Sequence, residues 1–354
     1  MGRSLDGTYA RLAALPLRVD GYELERLEQP VSSAFVRVTT VVRLRGGGHD
    51  GLGEDVTYSV ANQDAFQQEP PVLPLSDAGT LDGLSELVGS ARLFADEPEQ
   101  DAYRDYRRWA FESAALDLAL RQSGSSLAEA VASEARPVTY VVSMRLGEPP
   151  AVEPVLAWRS FYPTLGFKLD PTSSWTRELV EELRATGAVD SVDLKGAYRG
   201  TPVDQPPDPE LYRLVVEGFP EAWIEDPALT PDTEPILAPH RDRITWDAPI
   251  HSVDDVLALP FPPRMLNVKP SRFGSVRRLL EFYGWCAENG VHTYGGGQFE
   301  LGVGRRQIQH LASLFHPGEP NDVAPGGFNV GAPRPGLPPS PLAPPPDVPG
   351  FGGG

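Results

Sequence analysis

The chain reads AWIEDP at residues 222–227, a short apolar run that ends in two carboxylates and a proline. Residues 244–249 read ITWDAP and residues 191–195 read SVDLK, so the same kind of run ends in a carboxylate three times. Intervals of about 20 to 30 residues suit one strand and one helix each. The pattern therefore predicts β-α units and a parallel sheet.

Eight short strands of this kind are predicted from Pro137 onward, with helical segments between them. Eight repeats within roughly 190 residues predict a compact barrel of the TIM type. No helical pattern follows the last strand. The predicted strands span residues 138–143, 166–169, 191–194, 222–224, 244–246, 265–268, 291–294 and 322–324, and the predicted helices span residues 174–186, 208–218, 252–259, 271–289 and 304–315.

The chain divides into three parts by composition. Residues 1–135 predict an α+β domain, because residues 34–44 are rich in β-branched side chains and residues 103–122 have helical spacing. Residues 136–330 contain the predicted barrel. Residues 331–354 are dominated by proline and glycine, which predicts a flexible tail.

The chain is acidic, with 49 Asp and Glu residues against 31 Lys and Arg residues and a net charge of -18. This balance argues against a nucleic-acid-binding surface and against binding to anionic membranes. No stretch approaches the roughly 20 apolar residues of a membrane-spanning helix. The first residues lack the apolar segment of a secretion signal. Cys286, the only cysteine, cannot form an internal disulfide, so we expect a cytoplasmic protein.

Lysine is rare and is placed selectively. Of the 31 basic residues only three are lysines, namely Lys168, Lys195 and Lys269, and each lies at or near the end of a predicted strand. A buried lysine can lose its proton and act as a base, whereas arginine stays charged. A GC-rich coding bias would explain the rarity of lysine but not this placement. We therefore expect the lysines to be functional.

Asp193, Glu225 and Asp247 end three successive predicted strands, where the reactive groups of such barrels lie. Three converging carboxylates repel one another unless a cation neutralises them. An all-oxygen set suits a hard divalent ion, most often Mg²⁺. The alternative is that these residues cap the following helices or solvate the rim. Their succession, flanked by two strands that carry lysine, favours the metal site.

Several motifs occur along the chain in an order and spacing that resemble the enolase superfamily, in particular its muconate-lactonizing and racemase-like branches. The similarity extends from residue 20 to residue 329 and leaves out the tail. The motifs are FKL (167–169), Asp193, EDP (225–227), Asp247, KPS (269–271) and GGGQFELGVG (295–304), with GLGE (51–54) and ESAALDL (112–118) in the first domain.

The resemblance implies an α/β fold, a modified TIM (β/α)7β barrel with an N-terminal α+β capping domain. It also implies abstraction of a proton α to the carboxylate of a small substrate, by a Lys or His base with Mg²⁺ as cofactor. Lys269 would be the base and Lys168 a cation that polarises the substrate carboxylate. The implied metal ligands are Asp193, Glu225 and Asp247, and the implied residues near the substrate are Gln298 and Glu300. For Gln298 a plain loop role is equally open. Superfamily members are often symmetric homo-oligomers, and the state of this chain stays open.

Two residues depart from the superfamily pattern. Relatives usually carry Lys-x-Lys on the second strand, where this chain has Lys168 and Asp170, and Asp-x-Asn on the third, where it has Asp193 and Lys195. Because side chains alternate along a strand, Asp170 and Lys195 are predicted to face each other near the substrate. Lys195 is then a second catalytic base or a salt-bridged structural cation. A paired carboxylate raises the pKa of a lysine, which favours the structural role.

The leading hypothesis is a Mg²⁺-dependent lyase or isomerase that acts on a small carboxylate. Because one of the two superfamily bases is missing, a one-face reaction such as syn elimination of water is favoured over racemisation. One alternative is a barrel in which Lys168 or Lys269 forms a Schiff base with a carbonyl substrate. The other is a non-catalytic descendant that keeps the metal site for stability or ligand binding.

Overall fold

The structure is a computed structural model that describes residues 7–32, 35–198, 205–329 and 331–352. Its first part is a three-stranded antiparallel sheet in the order β1-β2-β3, covered by helices. No helix in the described ranges is long and apolar enough to cross a membrane. The elements of this part are β1 (Gly21–Ser32), β2 (Phe35–Gly46), β3 (His49–Asp55), α1 (Thr8–Ala13), α2 (Val60–Gln68), α3 (Leu81–Ser90), α4 (Ala102–Ser123), α5 (Leu127–Val131) and a short 3-10 turn at Leu75–Asp77.

Strand β1 pairs with β2 along nearly its whole length, although its composition does not predict a strand. Glu, Arg and Leu are weak strand formers, so the β-branched content that reveals β2 is missing here. The available signal is the alternation of apolar and charged residues in YELERLE at residues 22–28. Alternation was therefore the better guide to this element than composition.

Helix α4 lies directly on β3 because two glycines leave room for its backbone. A Cβ atom at Gly51 would lie 2.2 Å from the carbonyl oxygen of Ala114, and one at Gly53 would lie 2.0 Å from that of Ala110. Neither position accepts a larger residue without moving the helix. This close approach gives a physical reason for the GLGE motif in the first domain.

In the described residues after 136, seven parallel strands form a curled sheet in sequence order, with helices between them. The predicted modified TIM barrel with an α+β capping domain is confirmed. The strands are β4 (Val141–Met144), β5 (Gly166–Leu169), β6 (Val189–Asp193), β7 (Trp223–Glu225), β8 (Ile244–Trp246), β9 (Met265–Val268) and β10 (His292–Gly295). The helices are α6 (Glu153–Phe161), α7 (Arg177–Ala185), α8 (Pro209–Gly218), α9 (Glu234–Leu237), α10 (Val253–Leu257), α11 (Pro270–Phe273), α12 (Val276–Glu288) and α13 (Val303–Phe315), with 3-10 turns at Ala238–Arg243 and Gly326–Phe328.

Single bridges at Asn321 and Asp322, rather than a continuous eighth strand, join β10 to β4. The amide nitrogen of Asn321 donates to three backbone carbonyls, and its Oδ1 accepts from the backbone N–H of Gly295 at 2.7 Å. That Oδ1 also lies 2.6 Å from His316 Nδ1, so Nδ1 carries the proton and donates it to Asn321. The other ring nitrogen, Nε2, accepts a 3.0 Å hydrogen bond from the Tyr283 hydroxyl. One asparagine and its neighbours therefore close the barrel.

A single helix is predicted over residues 271–289, and this prediction is wrong. The structure has two helices, α11 and α12, separated at Gly274, whose φ of 69° lies in the left-handed region. A Cβ atom at Gly274 would lie 2.2 Å from the Asp105 carboxylate, so α11 approaches the capping domain closely at this point. The break follows from this packing, which the helical spacing of the sequence does not reveal.

The tail that is predicted to be flexible, residues 331–354, runs over its described residues 331–352 as a strap along the barrel and the capping domain. Leu342 exchanges two backbone hydrogen bonds with Val138. Phe351 is 1% exposed, and its backbone N–H donates to Asp117 Oδ1 on α4 at 2.7 Å. The next N–H, that of Gly352, donates to His310 Nδ1 on α13. Proline and glycine therefore shape an extended strap with a few strong anchors.

Candidate active site

The carboxyl ends of five neighbouring strands bring the predicted residues together at one end of the barrel. Asp193 and Glu225 lie side by side at the ends of β6 and β7, in register. Lys168 lies on β5, and Asp247 and Lys269 directly follow β8 and β9. All five side chains are buried. Parallel strands aim their carboxyl ends at the same edge, so this convergence follows from the topology.

The carboxylate of Asp193 contacts two ammonium groups. Its Oδ1 accepts a 3.1 Å hydrogen bond from the backbone N–H of Lys195, and its Oδ2 contacts Lys195 Nζ. Lys168 Nζ lies 3.3 Å from the same Oδ2. Burial disfavours the ionised carboxylate, but the charges of Lys195 and Lys168 outweigh burial and hold the pKa of Asp193 well below its usual range.

The carboxylate of Glu225 contacts an ammonium group with one oxygen and a phenol with the other. Its Oε1 contacts Lys168 Nζ, and its Oε2 accepts from the hydroxyl of Tyr294 on β10. Lys168 also lies 3.4 Å from Asp322 Oδ2, beside the barrel closure. Lys168 therefore contacts three carboxylates, and their negative charges explain how a lysine that is only 2% exposed stays charged.

The carboxylate of Asp247 is held by three donors. Its Oδ2 accepts from Lys269 Nζ at 2.8 Å and from the Tyr198 hydroxyl at 2.8 Å, and its Oδ1 pairs with Arg272 at 2.8 Å. Burial opposes its ionisation, but Arg272 and Lys269 hold the pKa of Asp247 well below its usual range. Sequence reasoning missed Tyr198, Arg272 and Tyr294. Only Arg272 had a local signal, since it lies in the turn that follows Lys269.

Asp226 positions the segment that carries Asp247. Its two carboxylate oxygens accept the backbone N–H groups of Asp247 and Ala248, each at 2.8 Å. Burial, together with the charges of Asp247 and Asp193, raises the pKa of Asp226 to about 7. Asp226 adopts a φ of 46°, which a non-glycine residue rarely does unless its surroundings hold it. We interpret Asp226 as a support for the site.

Asp170 and Lys195 face each other, as the alternation of side chains predicts. Lys195 Nζ lies 3.5 Å from Asp170 Oδ1. Burial opposes the charge on Lys195, but Asp193 and Asp170 outweigh it and raise its pKa above the usual value. This geometry favours the structural cation over the second base for Lys195. Within the described part of the chain, Asp170 Oδ1 has no hydrogen-bond partner.

Gln298 and Glu300 lie where the barrel meets the capping domain. The Gln298 amide donates to the Tyr106 hydroxyl of α4 at 2.9 Å. Glu300 accepts the backbone N–H of Gln298 and pairs with Arg305 at 3.2 Å. The buried Arg37 of β2 donates to the carbonyl of Gln298 at 2.9 Å, which ties this loop to the capping domain. A substrate contact by Gln298 or Glu300 stays a prediction.

Asn267 was not predicted, and it supplies an unused polar group beside Lys269. It is fully buried on β9, and in the described ranges neither atom of its amide has a hydrogen-bond partner. A Cβ atom at Gly296 would lie 2.4 Å from its Oδ1 and 2.9 Å from Lys269 Cε, so the three residues meet. A buried amide without partners marks a place where a ligand or a water can bind.

The donors Asp193, Glu225 and Asp247 fit Mg²⁺ in their chemistry, since all are carboxylates on adjacent strand ends. All of their carboxylate oxygens, however, contact an N–H, ammonium, guanidinium or hydroxyl group of the protein. Among the residues that the structure describes, no group of three or more His, Cys, Asp or Glu side chains is placed to hold a metal ion. A divalent ion would therefore have to replace protein cations at these oxygens.

Comparison with known proteins places the whole of this arrangement in a family. The N-terminal domain of the family described as "Domain of unknown function (DUF8230)" matches residues 10–130, and its C-terminal domain matches residues 134–330. The N-succinylamino acid racemase of Thermus thermophilus is 26% identical over 335 residues, which cover 87% of this chain and 86% of that protein.

Two solved structures share the fold. One, from Enterococcus faecalis V583 and described as an unknown member of the enolase superfamily, is 22% identical with a TM-score of 0.66, covering 88% of this chain and 87% of that one. The dipeptide epimerase of Methylococcus capsulatus, complexed with Mg ion, is 19% identical with a TM-score of 0.66. The match covers 89% of this chain and 92% of that one. The predicted resemblance is thereby confirmed. The chain belongs to the DUF8230 family and has the fold of the enolase superfamily.

Proposed function

We propose that this protein is a lyase or isomerase that removes a proton α to the carboxylate of a small substrate. The observation that carries the proposal is the convergence of Lys168, Lys269 and three carboxylates at the buried end of one barrel. Relatives with known names support an enzyme of this kind, since they include a racemase and an epimerase.

Lys269 is the proposed base. Its Nζ is fixed by Asp247, which it shares with Arg272, and it is 8% exposed at the barrel end. The unused amide of Asn267 lies beside it and offers both a donor and an acceptor to a substrate group. Lys168 is the proposed electrostatic partner, because a fixed ammonium stabilises the second negative charge that develops on a substrate carboxylate.

Asp193, Glu225 and Asp247 would hold Mg²⁺ in this proposal. Bound there, the ion would supply positive charge to the substrate oxygens, where charge develops during proton removal. The protein's own contribution is to exclude water and to keep the carboxylates in place, and Asp226 does the latter for Asp247 through two backbone hydrogen bonds. Mg²⁺ binding by this chain is part of the proposal.

The position of Asp170 supports a reaction on one face of the substrate. Racemisation needs a proton donor or acceptor on both faces, whereas an elimination can use a single base. Asp170 stands where the superfamily pattern has its second lysine, and Lys195 is held by two carboxylates. We therefore favour elimination over racemisation, with Lys269 as the one base.

The test is solvent deuterium exchange at the substrate α-carbon across a library of small carboxylates, followed by proton NMR in the presence of Mg²⁺. We expect exchange with wild-type protein and none with Lys269→Ala. Arg264→Ala is the control, because that side chain precedes β9 and is 73% exposed. Equal exchange by wild type and Lys269→Ala would contradict the role of Lys269.

A non-catalytic descendant is the second candidate, and one specific observation favours it. Protein cations contact the carboxylates that a metal would need, so much of their negative charge is balanced without any ligand. Under this alternative no member of the library shows α-proton exchange with the wild-type protein. Exchange of a single substrate, lost on Lys269→Ala, would eliminate it.

A further inference from the structure

Asp170 and Lys195, the two departures from the superfamily pattern, lie in one ion-paired group with Asp193. Lys195 Nζ contacts Asp193 Oδ2 and lies 3.5 Å from Asp170 Oδ1. Asp193 is fully buried, whereas the side chains of Lys195 and Asp170 are 13% and 17% exposed. The ammonium therefore sits between a deep carboxylate and a shallower one.

The two carboxylates differ in how they are satisfied. Asp193 has further donors, namely the backbone N–H of Lys195 and the ammonium of Lys168. Asp170 Oδ1 is buried and lacks a hydrogen-bond partner in the described residues, although it faces the ammonium. An acceptor left open next to a cation on a flexible stem is a second position for that cation.

We propose that Lys195 is a movable counter-ion that neutralises Asp193 in the absence of metal and shifts to Asp170 when a divalent ion binds Asp193. This inference rests on the proposed function for the identity of the metal ligands. It explains the two departures together, since Asp170 places a second carboxylate within reach of the Lys195 ammonium. It also makes Lys195 a competitor of the metal for Asp193.

The first test measures affinity for Mn²⁺, as a spectroscopic substitute for Mg²⁺, by electron paramagnetic resonance of the free ion, without any substrate. Removing the competitor with Lys195→Met should tighten binding about tenfold, a modest part of the attraction between two charges near a protein surface. Arg145→Met is the matched control. It removes the same charge as Lys195→Met, but from an exposed residue that acts on Asp170 through its charge. Equal affinities of Lys195→Met and Arg145→Met would overturn the proposal.

Asp170→Asn tests the second position. Without the negative charge at position 170, Lys195 stays on Asp193, so Mn²⁺ binding should weaken about tenfold by the same ion-pair argument. Glu148→Gln removes an exposed carboxylate from the loop after β4, where Glu148 accepts a hydrogen bond from Ser174. It should change the affinity by less than about threefold, as expected for a screened surface charge. Equal weakening by Asp170→Asn and Glu148→Gln would contradict the movement of Lys195.

A structural readout on the unchanged protein covers the case in which Lys195→Met does not fold. With only three lysines in the chain, lysine labelled with ¹³C and ¹⁵N gives three side-chain signals, and Lys195→Arg assigns one of them. Addition of Mg²⁺ should shift the Lys195 signal in wild type and leave it nearly unchanged in Asp170→Asn. The same shift in both proteins overturns the proposal.

The outcome is independent of the proposed reaction. Metal affinities and lysine signals are read without substrate, so they can support the counter-ion role even if no carboxylate exchanges its α-proton. Absence of Mn²⁺ binding in both wild type and Lys195→Met overturns the inference. In that case α-proton exchange still tests Lys269 by itself.

Discussion

Two regions of the molecule bury charge and satisfy it differently. In the capping domain, Arg107 pairs with Asp55 at 2.8 Å and donates to the carbonyls of Leu93 and Asn62. Its guanidinium lies between Phe66 and Phe94, at 4.1 and 3.7 Å from the ring centres. At the barrel end, by contrast, four cations share a larger set of carboxylates, and the amide of Asn267 finds no partner in the described residues.

The difference separates a structural ion pair from the proposed active site. Arg107 and Asp55 make one-to-one contacts with their neighbours, so nothing remains for a ligand. The barrel end has alternative partners for Lys195 and unused acceptors on Asp170 and Asn267. A cluster of charges with more than one arrangement can admit a ligand, whereas a closed pair can only stabilise the fold.

The largest expected effect is at Lys269. Lys269→Ala should reduce α-proton exchange by about a thousandfold, the range of positioned acid-base groups. Its free energy of unfolding should change little, because Arg272 still neutralises Asp247 and the Tyr198 hydroxyl still donates to it. Exchange measured by NMR and urea unfolding at pH 7 check the two parts. A large loss of stability with unchanged exchange would mean that Lys269 has a structural role and is not the base.

Arg107→Met should show the opposite pattern. It leaves Asp55 buried without its cation, which should lower the free energy of unfolding by about 3 to 5 kcal/mol, as for other broken buried pairs. The folded protein should still exchange substrate α-protons at the wild-type rate. Urea unfolding is the measurement, and Arg104→Met, whose partner Glu97 is 84% exposed, is the control. A control effect as large as that of Arg107→Met would remove the distinction.

Phe351→Ala tests whether the strap belongs to the structural region. Phe351 is buried against the helices that carry Asp117 and His310, so its truncation should cost about 3 kcal/mol of unfolding free energy. Val348, which lies on the same strap and is 41% exposed, provides the control Val348→Ala. Equal urea midpoints for Phe351→Ala and wild type would mean that the strap does not hold in solution.

The smallest effect concerns pH. Burial lowers the pKa of His316 from 6.5 to about 4, so the unfolded chain binds its proton first as the pH falls. The free energy of unfolding should therefore fall between pH 6.5 and 4, by up to about 1.4 kcal/mol per pH unit for this one group. His316→Gln should have a shallower dependence than the control His292→Gln, since His292 is 69% exposed. Parallel curves would contradict the neutral buried state.

Much of the site could be predicted because its signals are local. A carboxylate after a short apolar run marks a strand end, which located Asp193, Glu225 and Asp247 without knowledge of the sheet. Tyr198 reaches Asp247 only through the tertiary fold, and a single tyrosine has no pattern of its own. The course of the strap could not be predicted for a related reason, because it depends on single contacts such as that of Phe351, which composition does not reveal.

The closure by Asn321 has a consequence for how the barrel opens. β4 and β10 are joined to each other through single bridges, whereas the other neighbouring strands share ladders of paired residues. The barrel is therefore a seven-stranded sheet closed along one line, and β4 and β10 become edge strands when the contacts of Asn321 break. Native-state hydrogen exchange should accordingly begin along this line. The strap forms hydrogen bonds with Val138, just before β4, and so helps to hold the closure together.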